Sequence, residues 1–149
     1  MVLVNVSILP HGTMLLDLAM PDLPEGVKEL NNACFLAGQT LVDSSPDTII
    51  LFSPHGISIR TKPGVYLNTM VSGTAGWNGF WETYSACGEC DSSIAKELLT
   101  FLNKDEDVGA AGITSFTSGC AAPLAWGEVV PLQFCSSSLH SGSQVVVCS

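Results

Sequence analysis

The sequence is poor in charge, and poorest in positive charge. Only 13% of its 149 residues are charged, and five Lys and Arg stand against 14 Asp and Glu, for a formal net charge of −9. Five dispersed cations cannot form the basic surface that phosphate contacts require, so we exclude nucleic acid as a partner. An anionic membrane surface would repel the chain for the same reason. A small molecule or a cation is the more fitting partner.

Targeting and membrane signals are also missing. Residues 1–12 have no basic stretch, and their apolar run is too short and too β-branched for a signal peptide. The long uncharged stretch at 108–127 carries Gly, Ser, Thr and Pro throughout, whereas a span needs roughly 20 predominantly apolar residues. We therefore expect neither a signal peptide nor a membrane span.

Six cysteines are present, but no pattern assigns them to a metal or to disulfides. Without a signal peptide, free thiols in a reducing cytoplasm are expected. Cys87 and Cys90 form the one C-x-x-C pair, and a structural zinc site usually needs a second such pair or a nearby His pair. The glycine patterns G-x-G-x-x-G and Walker A are absent too, which argues against a phosphate-binding domain.

Hydrophobic patterning predicts an α/β fold. The predicted strands cover residues 2–9, 48–53, 65–71 and 144–148, and the predicted helices cover 27–41 and 92–102. The apolar face expected for the first helix comprises Val27, Leu30, Cys34, Ala37 and Leu41. The initial order of strand, helix and strand predicts a βαβ unit with parallel strands. We expect a single domain with a mixed, largely parallel central sheet flanked by helices, and a long loop over 72–91 that is rich in glycine and aromatic residues.

Two segments repeat one arrangement, a histidine between Pro and Gly at the end of an apolar run. His11 lies in ILPHG at residues 8–12, and His55 lies in FSPHG at residues 52–56. Ligands of an open parallel sheet bind beyond the carboxyl ends of its strands, and neighbouring strands are about 5 Å apart. One such turn alone is usually only a turn, but the matched pair favours a metal site at His11 and His55.

Two neutral histidines and one carboxylate, with open positions left over, suit non-haem Fe(II). The sequence does not identify the carboxylate, because none of the candidates Glu82, Glu89 and Glu128 has a spacing that fixes it beside the histidines. Glu128 is the best placed of the three, although a capping or solvated role is more common for such an acid. His140 lies in a Ser- and Gly-rich stretch and is expected in a surface loop.

These segments together resemble the class III extradiol ring-cleavage dioxygenases, in particular their LigB-like catalytic subunits. The resemblance rests on PHG at 10–12, SPHG at 53–56 and PLAWGEVVPL at 123–132, and it extends in order over all 149 residues. It implies an α/β domain that binds Fe(II) through two histidines and a later glutamate. His11 and His55 occupy the positions of the two histidine ligands.

The resemblance also implies the chemistry. Enzymes of this family chelate the two oxygens of a catechol on the iron, bind O2 beside it, and insert both oxygen atoms as the ring opens next to the diol. A histidine from the second half of the family domain acts as acid and base. The implied function is therefore an oxidoreductase with a catecholic aromatic substrate and O2.

The chain departs from the family pattern in two respects. Members are commonly nearly twice as long, so residues 1–149 correspond to the N-terminal half, an incomplete version without the glutamate ligand and the acid-base histidine. Many members have Asp-His-Gly where this chain has Ala125, Trp126 and Gly127. The alternative is a non-catalytic, truncated relative that serves as a metal-binding or regulatory subunit. A homo-oligomer is a further expectation, because an exposed sheet edge needs covering.

Overall fold

The structure, a computed structural model, describes residues 2–19, 21–57, 59–77, 80–105, 109–114, 120–136, 139 and 141–149. The longer helices in these ranges are α1 (Val27–Asp43), α2 (Ser92–Leu102) and α3 (Trp126–Phe134), and a short 3-10 helix covers Thr13–Leu15. The strands are β1 (Thr48–Phe52), β2 (Gly64–Tyr66), β3 (Met70–Trp77), β4 (Phe80–Glu89), β5 (Ala111–Ile113), β6 (Ala122–Leu124) and β7 (Gln144–Cys148). The fold is α/β, as the sequence predicts.

The strands form two mixed sheets where one central sheet was expected. The first sheet has the order β1-β7-β2-β5, with β1 parallel to β7 and β2 parallel to β5. Strands β2 and β7 meet antiparallel at the pair of Val65 and Cys148. The second sheet has the order β4-β3-β6, in which β3 is antiparallel to β4 and parallel to β6.

Strand β7 lies in the interior and divides the core into two parts. Its side chains alternate between the faces of the sheet, as strand geometry requires. Val145 and Val147 join the larger cluster, which contains residues of α1, α3 and the second sheet. Val146 and Cys148 join a smaller cluster with Val65 and with Ala95 of α2. The first sheet is therefore covered on both faces, which explains the unbroken apolar sequence of β7.

Residues 2–9 form no strand, so the predicted strand there is wrong, and so is the βαβ unit built on it. The parallel partner of β1 is β7. Five apolar side chains of the segment are between 54% and 97% exposed: Val2, Leu3, Val4, Val6 and Ile8. Strand formation depends on pairing with a neighbouring strand, and residues 2–9 pair with no strand in the described part of the chain, whatever their local propensity.

The loop predicted over 72–91 is also wrong, because this segment contributes to a long antiparallel hairpin. Strand β3 pairs with β4 from Met70 opposite Glu89 to Trp77 opposite Phe80. The single strand predicted at 65–71 is in fact divided between β2 and β3. Glycine and aromatic residues together suggest a loop, but an aromatic-rich segment also suits the pleated surface of a sheet.

Helix α1 forms where the sequence predicts it, but with a partly different buried face. Its buried residues are Val27, Asn31, Cys34 and Gly38, while Leu30 is 45% exposed. Gly38 packs directly on the backbone of Phe134, where a Cβ would collide. Asn31 donates a hydrogen bond of 2.5 Å to the carbonyl oxygen of Leu15. A small residue and an amide therefore face inward at positions where an apolar pattern places larger side chains.

Candidate metal centre

His11 and His55 lie side by side. Their Nε2 atoms are 3.1 Å apart, and their ring centroids are 4.7 Å apart with the ring planes inclined at 68°. Both side chains are half-buried. The two Pro-His-Gly turns, 44 residues apart in the sequence, thus meet at one point on the molecule.

The turn that carries His55 is held by hydrogen bonds to β7 and β2 and by one hydrogen bond within the turn itself. The backbone N–H of Ser53 donates to the carbonyl oxygen of Cys148 in β7 at 2.9 Å. The Ser53 hydroxyl accepts a hydrogen bond from the backbone N–H of His55 at 3.1 Å. The Tyr66 hydroxyl, on β2, accepts one from the backbone N–H of Ile57 at 2.9 Å. These bonds fix the backbone on both sides of His55.

Tyr66 supports this turn from a buried position, since only 1% of its surface is exposed. Burial raises the pKa of Tyr66, the hydrogen bond from Ile57 lowers it by a smaller amount, and the negative charge of Glu128 raises it further. The phenol therefore stays protonated at neutral pH, which suits a structural role.

The turn after His11 is anchored through the 3-10 helix that follows it. The N–H of Leu15 donates to the carbonyl oxygen of Gly12 at 3.0 Å, which closes the turn. The Asn31 amide of α1 donates a hydrogen bond to the Leu15 carbonyl oxygen. The Tyr84 hydroxyl of β4 donates one to the Leu16 carbonyl oxygen at 2.7 Å. Although most side chains of residues 2–8 are exposed, the chain on the other side of His11 is thus bound to the core.

The first turn of α3 completes the surroundings of the histidines. The Trp126 ring lies 4.2 Å from the His55 ring and 5.1 Å from the His11 ring, centroid to centroid. Trp126 is nevertheless 42% exposed. Gly127 lies directly against the imidazole of His55, where an added Cβ would be 2.5 Å from Cδ2.

In the described part of the chain, no carboxylate joins the two histidines as a third metal ligand. Glu89 is exposed on β4, and the side chain of Glu82 lies outside what the structure describes, as does His140. Glu128 is fully buried, and both of its oxygens accept internal hydrogen bonds, from the Ser53 hydroxyl and from the Ala125 N–H. Among the described residues, no cluster of three or more His, Cys, Asp or Glu is arranged to hold a metal ion.

Sequence reasoning missed Ser53 and Tyr66, the two hydroxyls that hold the His55 turn. The signal for Ser53 was present, because it directly precedes Pro54 and His55. A serine at the end of a strand commonly bonds to the backbone N–H two residues later. The signal for Tyr66 was not available, because its contact with Ile57 depends on the pairing of β2 with β7.

None of the six cysteines, all of which lie in the described ranges, forms a disulfide bond. Cys90 is buried, and burial raises its pKa to about 11, whereas Cys87 is exposed. The two members of the C-x-x-C pair thus lie in different environments. A buried thiol with a raised pKa is a poor nucleophile and a poor metal ligand.

Two cavities adjoin the histidine pair. His55 lines one of about 390 Å³, together with Ile59, Thr61 and Lys62. His11 lines a larger one of about 1060 Å³, whose walls are mostly apolar and include β1 and residues 2–9. The histidines therefore lie between two spaces that can admit a ligand.

Comparison with known proteins adds no family. No protein-family model matches this sequence, and no curated protein is significantly similar to it. Among the described residues, no helix has the length and apolar character needed to cross a bilayer.

Proposed function

We propose that this protein binds Fe(II) between His11 and His55 and acts as an extradiol-type dioxygenase, opening a catecholic aromatic ring next to its diol. The observation that carries the proposal is the 3.1 Å approach of the two Nε2 atoms. The resemblance in the histidine turns and in residues 123–132 supplies the reaction type. Under this proposal the chain is a member of the LigB-like class.

The two imidazoles suit a divalent metal ion. Two nitrogens that share one ion, at about 2.1 Å each and near a right angle, lie about 3 Å apart. Imidazole is a common ligand of iron, and the net charge of −9 attracts a divalent cation to the chain.

Residues around the pair offer a place for an aromatic substrate. Bound Fe(II) supplies the centre at which a catechol and O2 are brought together. The exposed part of the Trp126 ring gives an aromatic ring a stacking partner. The cavity of about 390 Å³ beside His55 has room for a one-ring substrate, and Lys62 on its wall attracts a deprotonated hydroxyl.

A second candidate is a non-catalytic relative that binds the metal and serves as a regulatory or interaction subunit. The observation that favours it is that no described carboxylate joins the two histidines. Two protein ligands can hold a cation, but they leave the site without the anionic ligand that this class of enzyme uses.

The proposal also covers the cellular compartment, the oligomeric state and the partners of the protein. Cysteines that form no disulfide bonds suit the reducing cytoplasm. The edge position of β1 in the first sheet leaves room for a second copy of the chain, in keeping with a homo-oligomer. Neither nucleic acid nor a membrane surface is a partner in this account, because the chain has few cations.

The test is an anaerobic loading with Fe(II) followed by exposure to O2 and a panel of catechols. The dioxygenase proposal expects a yellow ring-opened product with matching O2 consumption, at about 1 s⁻¹ or faster. His140→Ala should retain this activity, while His11→Ala and His55→Ala should lose it. Bound iron without product would favour the binding subunit, and the absence of bound iron would refute both.

A further inference from the structure

Glu128 is the charged side chain that the described core encloses completely, with 0% of its surface exposed. Burying a carboxylate is costly unless its oxygens are paired by hydrogen bonds. The same position sits in the first turn of α3, where the helix dipole favours negative charge. An acid kept at this cost needs a reason beyond packing.

One oxygen of Glu128 serves the helix. Oε2 accepts a hydrogen bond of 2.8 Å from the N–H of Ala125, one of the backbone donors at the start of α3. A polar side chain in the first turn of an exposed helix does the same without being buried. The bond to Ala125 therefore accounts for only half of the arrangement.

The other oxygen is connected to the histidine pair. Oε1 accepts a hydrogen bond from the Ser53 hydroxyl, and the Ser53 oxygen accepts one from the backbone N–H of His55. The adjacent Gly127 packs on the His55 ring. The first turn of α3 thus contacts the His55 imidazole directly through Gly127. It is also linked to the His55 backbone through the Ser53 hydroxyl.

We infer that Glu128 is a positioning residue for His55, acting through the Ser53 hydroxyl, and that its charge lies behind the cation-binding pair as an outer counter-ion. This inference rests on the proposed metal site, but it concerns only residues of this chain. Groups that orient a metal-binding histidine from behind typically contribute tenfold to a hundredfold to metal affinity.

Two variants separate the charge from the connection. Glu128→Gln keeps the shape and removes the charge: its amide oxygen can accept from Ala125, while its NH2 can only donate to the Ser53 oxygen, which reverses the direction of that hydrogen bond. Ser53→Ala removes the link, and Ser53→Thr restores a hydroxyl. The matched controls are Glu89→Gln and Ser85→Ala, two exposed positions on β4.

The first readout is Fe(II) affinity under anaerobic conditions. Glu128→Gln and Ser53→Ala should bind about tenfold to a hundredfold more weakly than the native chain, Ser53→Thr should recover much of the loss, and both controls should match the native chain. A direct-ligand role would instead give a large loss in Glu128→Gln with Ser53→Ala unchanged, and that result overturns the inference.

The second readout needs no metal. Imidazole ¹H–¹⁵N correlation spectra of the apoprotein should show the His55 resonances displaced in Glu128→Gln and Ser53→Ala, with those of His140 unmoved. Unchanged His55 resonances and unchanged affinity in both variants overturn the inference while leaving the metal site standing. A native chain that binds no Fe(II), with His55 displaced in the variants, refutes the proposed function and retains Glu128 as the positioning residue.

Discussion

The backbone of Gly127 lies directly against the side chain of His55. A Cβ at position 127 would be 2.5 Å from Cδ2 and 2.7 Å from Cβ of His55, closer than non-bonded carbon atoms approach. Because the added Cβ would also collide with the Cβ of His55, which carries the ring, rotation of the imidazole cannot relieve the collision. The glycine therefore lets the first turn of α3 define one wall of the proposed metal centre.

Gly127→Ala is expected to displace His55 and weaken Fe(II) binding at least tenfold. Alanine normally favours a helix over glycine by about 1 kcal/mol, so a loss here would come from the collision with His55. Gly12→Ala, beside His11, is the control, because the nearest atom to its added Cβ is Met14 Cγ at 3.9 Å. Native affinity in Gly127→Ala, measured by anaerobic titration, would contradict this packing.

The parts of the fold that sequence could predict are those set by local signals. Helix α2 begins where Asp91 supplies a capping carboxylate, and β7 follows from an unbroken apolar run. The hairpin of β3 and β4 was missed because pairing between distant residues decides whether an aromatic-rich segment becomes a strand. For residues 2–9 the prediction was wrong in the opposite sense, because the segment has strand propensity but pairs with no described strand.

The site divides in the same way. His11 and His55 were selected from the repeated Pro-His-Gly turn, and their contact is a property of the whole fold. Glu128 was considered from its sequence neighbours, but its bond to Ser53 depends on how α3 packs against the end of β1. A short sequence pattern can therefore suggest ligands, whereas the residues that orient them emerge from tertiary contacts.

Residues 2–9 should contribute little to stability. Val6 is 75% exposed, so Val6→Asp is expected to change the free energy of unfolding by no more than about 0.5 kcal/mol. Val146, in β7, is 1% exposed, and Val146→Asp should cost on the order of 4 kcal/mol because it buries an unpaired charge. Urea unfolding measures both, and a large loss in Val6→Asp would show that the segment packs as a strand.

Thiol reactivity should divide the cysteines into two groups. Cys87 and Cys120 are exposed, while Cys34, Cys90, Cys135 and Cys148 are buried. Burial also raises the pKa of Cys90, Cys135 and Cys148 to about 11, which suppresses the reactive thiolate. At pH 8 an alkylating reagent should label two thiols quickly, and all six in denaturant. Rapid labelling of Cys135 or Cys148 in the native protein would contradict this packing.

The Asp91 cap should make stability depend on pH in the acid range. The N–H of Ile94 is the main cause that lowers the pKa of Asp91, and the Thr48 hydroxyl, at 2.7 Å, lowers it as well. Because folding lowers the pKa of Asp91, the stabilisation by its carboxylate is fully present above the unfolded-state pKa of about 3.9. This stabilisation is lost as the pH falls through the folded-state pKa.

Two substitutions check this assignment. Asp91→Ala should lose about 1 kcal/mol of unfolding free energy at pH 7, because the cap of α2 is removed. Asp91→Asn keeps an acceptor, so it should lose less, and its deficit relative to the native chain should shrink between pH 5 and pH 2. A deficit that stays constant over this range would show that the carboxylate charge is not involved. Thermal unfolding across the pH series provides the measurement.

The proposed metal centre is tested most directly by the Fe(II) stoichiometry of three proteins: the native chain, the double variant His11→Ala/His55→Ala and the control His140→Ala. Anaerobic titration followed by metal analysis of the desalted protein gives the value. We expect one iron per chain in the native protein and in His140→Ala, and none retained in the double variant. Iron retained in the double variant, or no iron in the native chain, would contradict the metal centre.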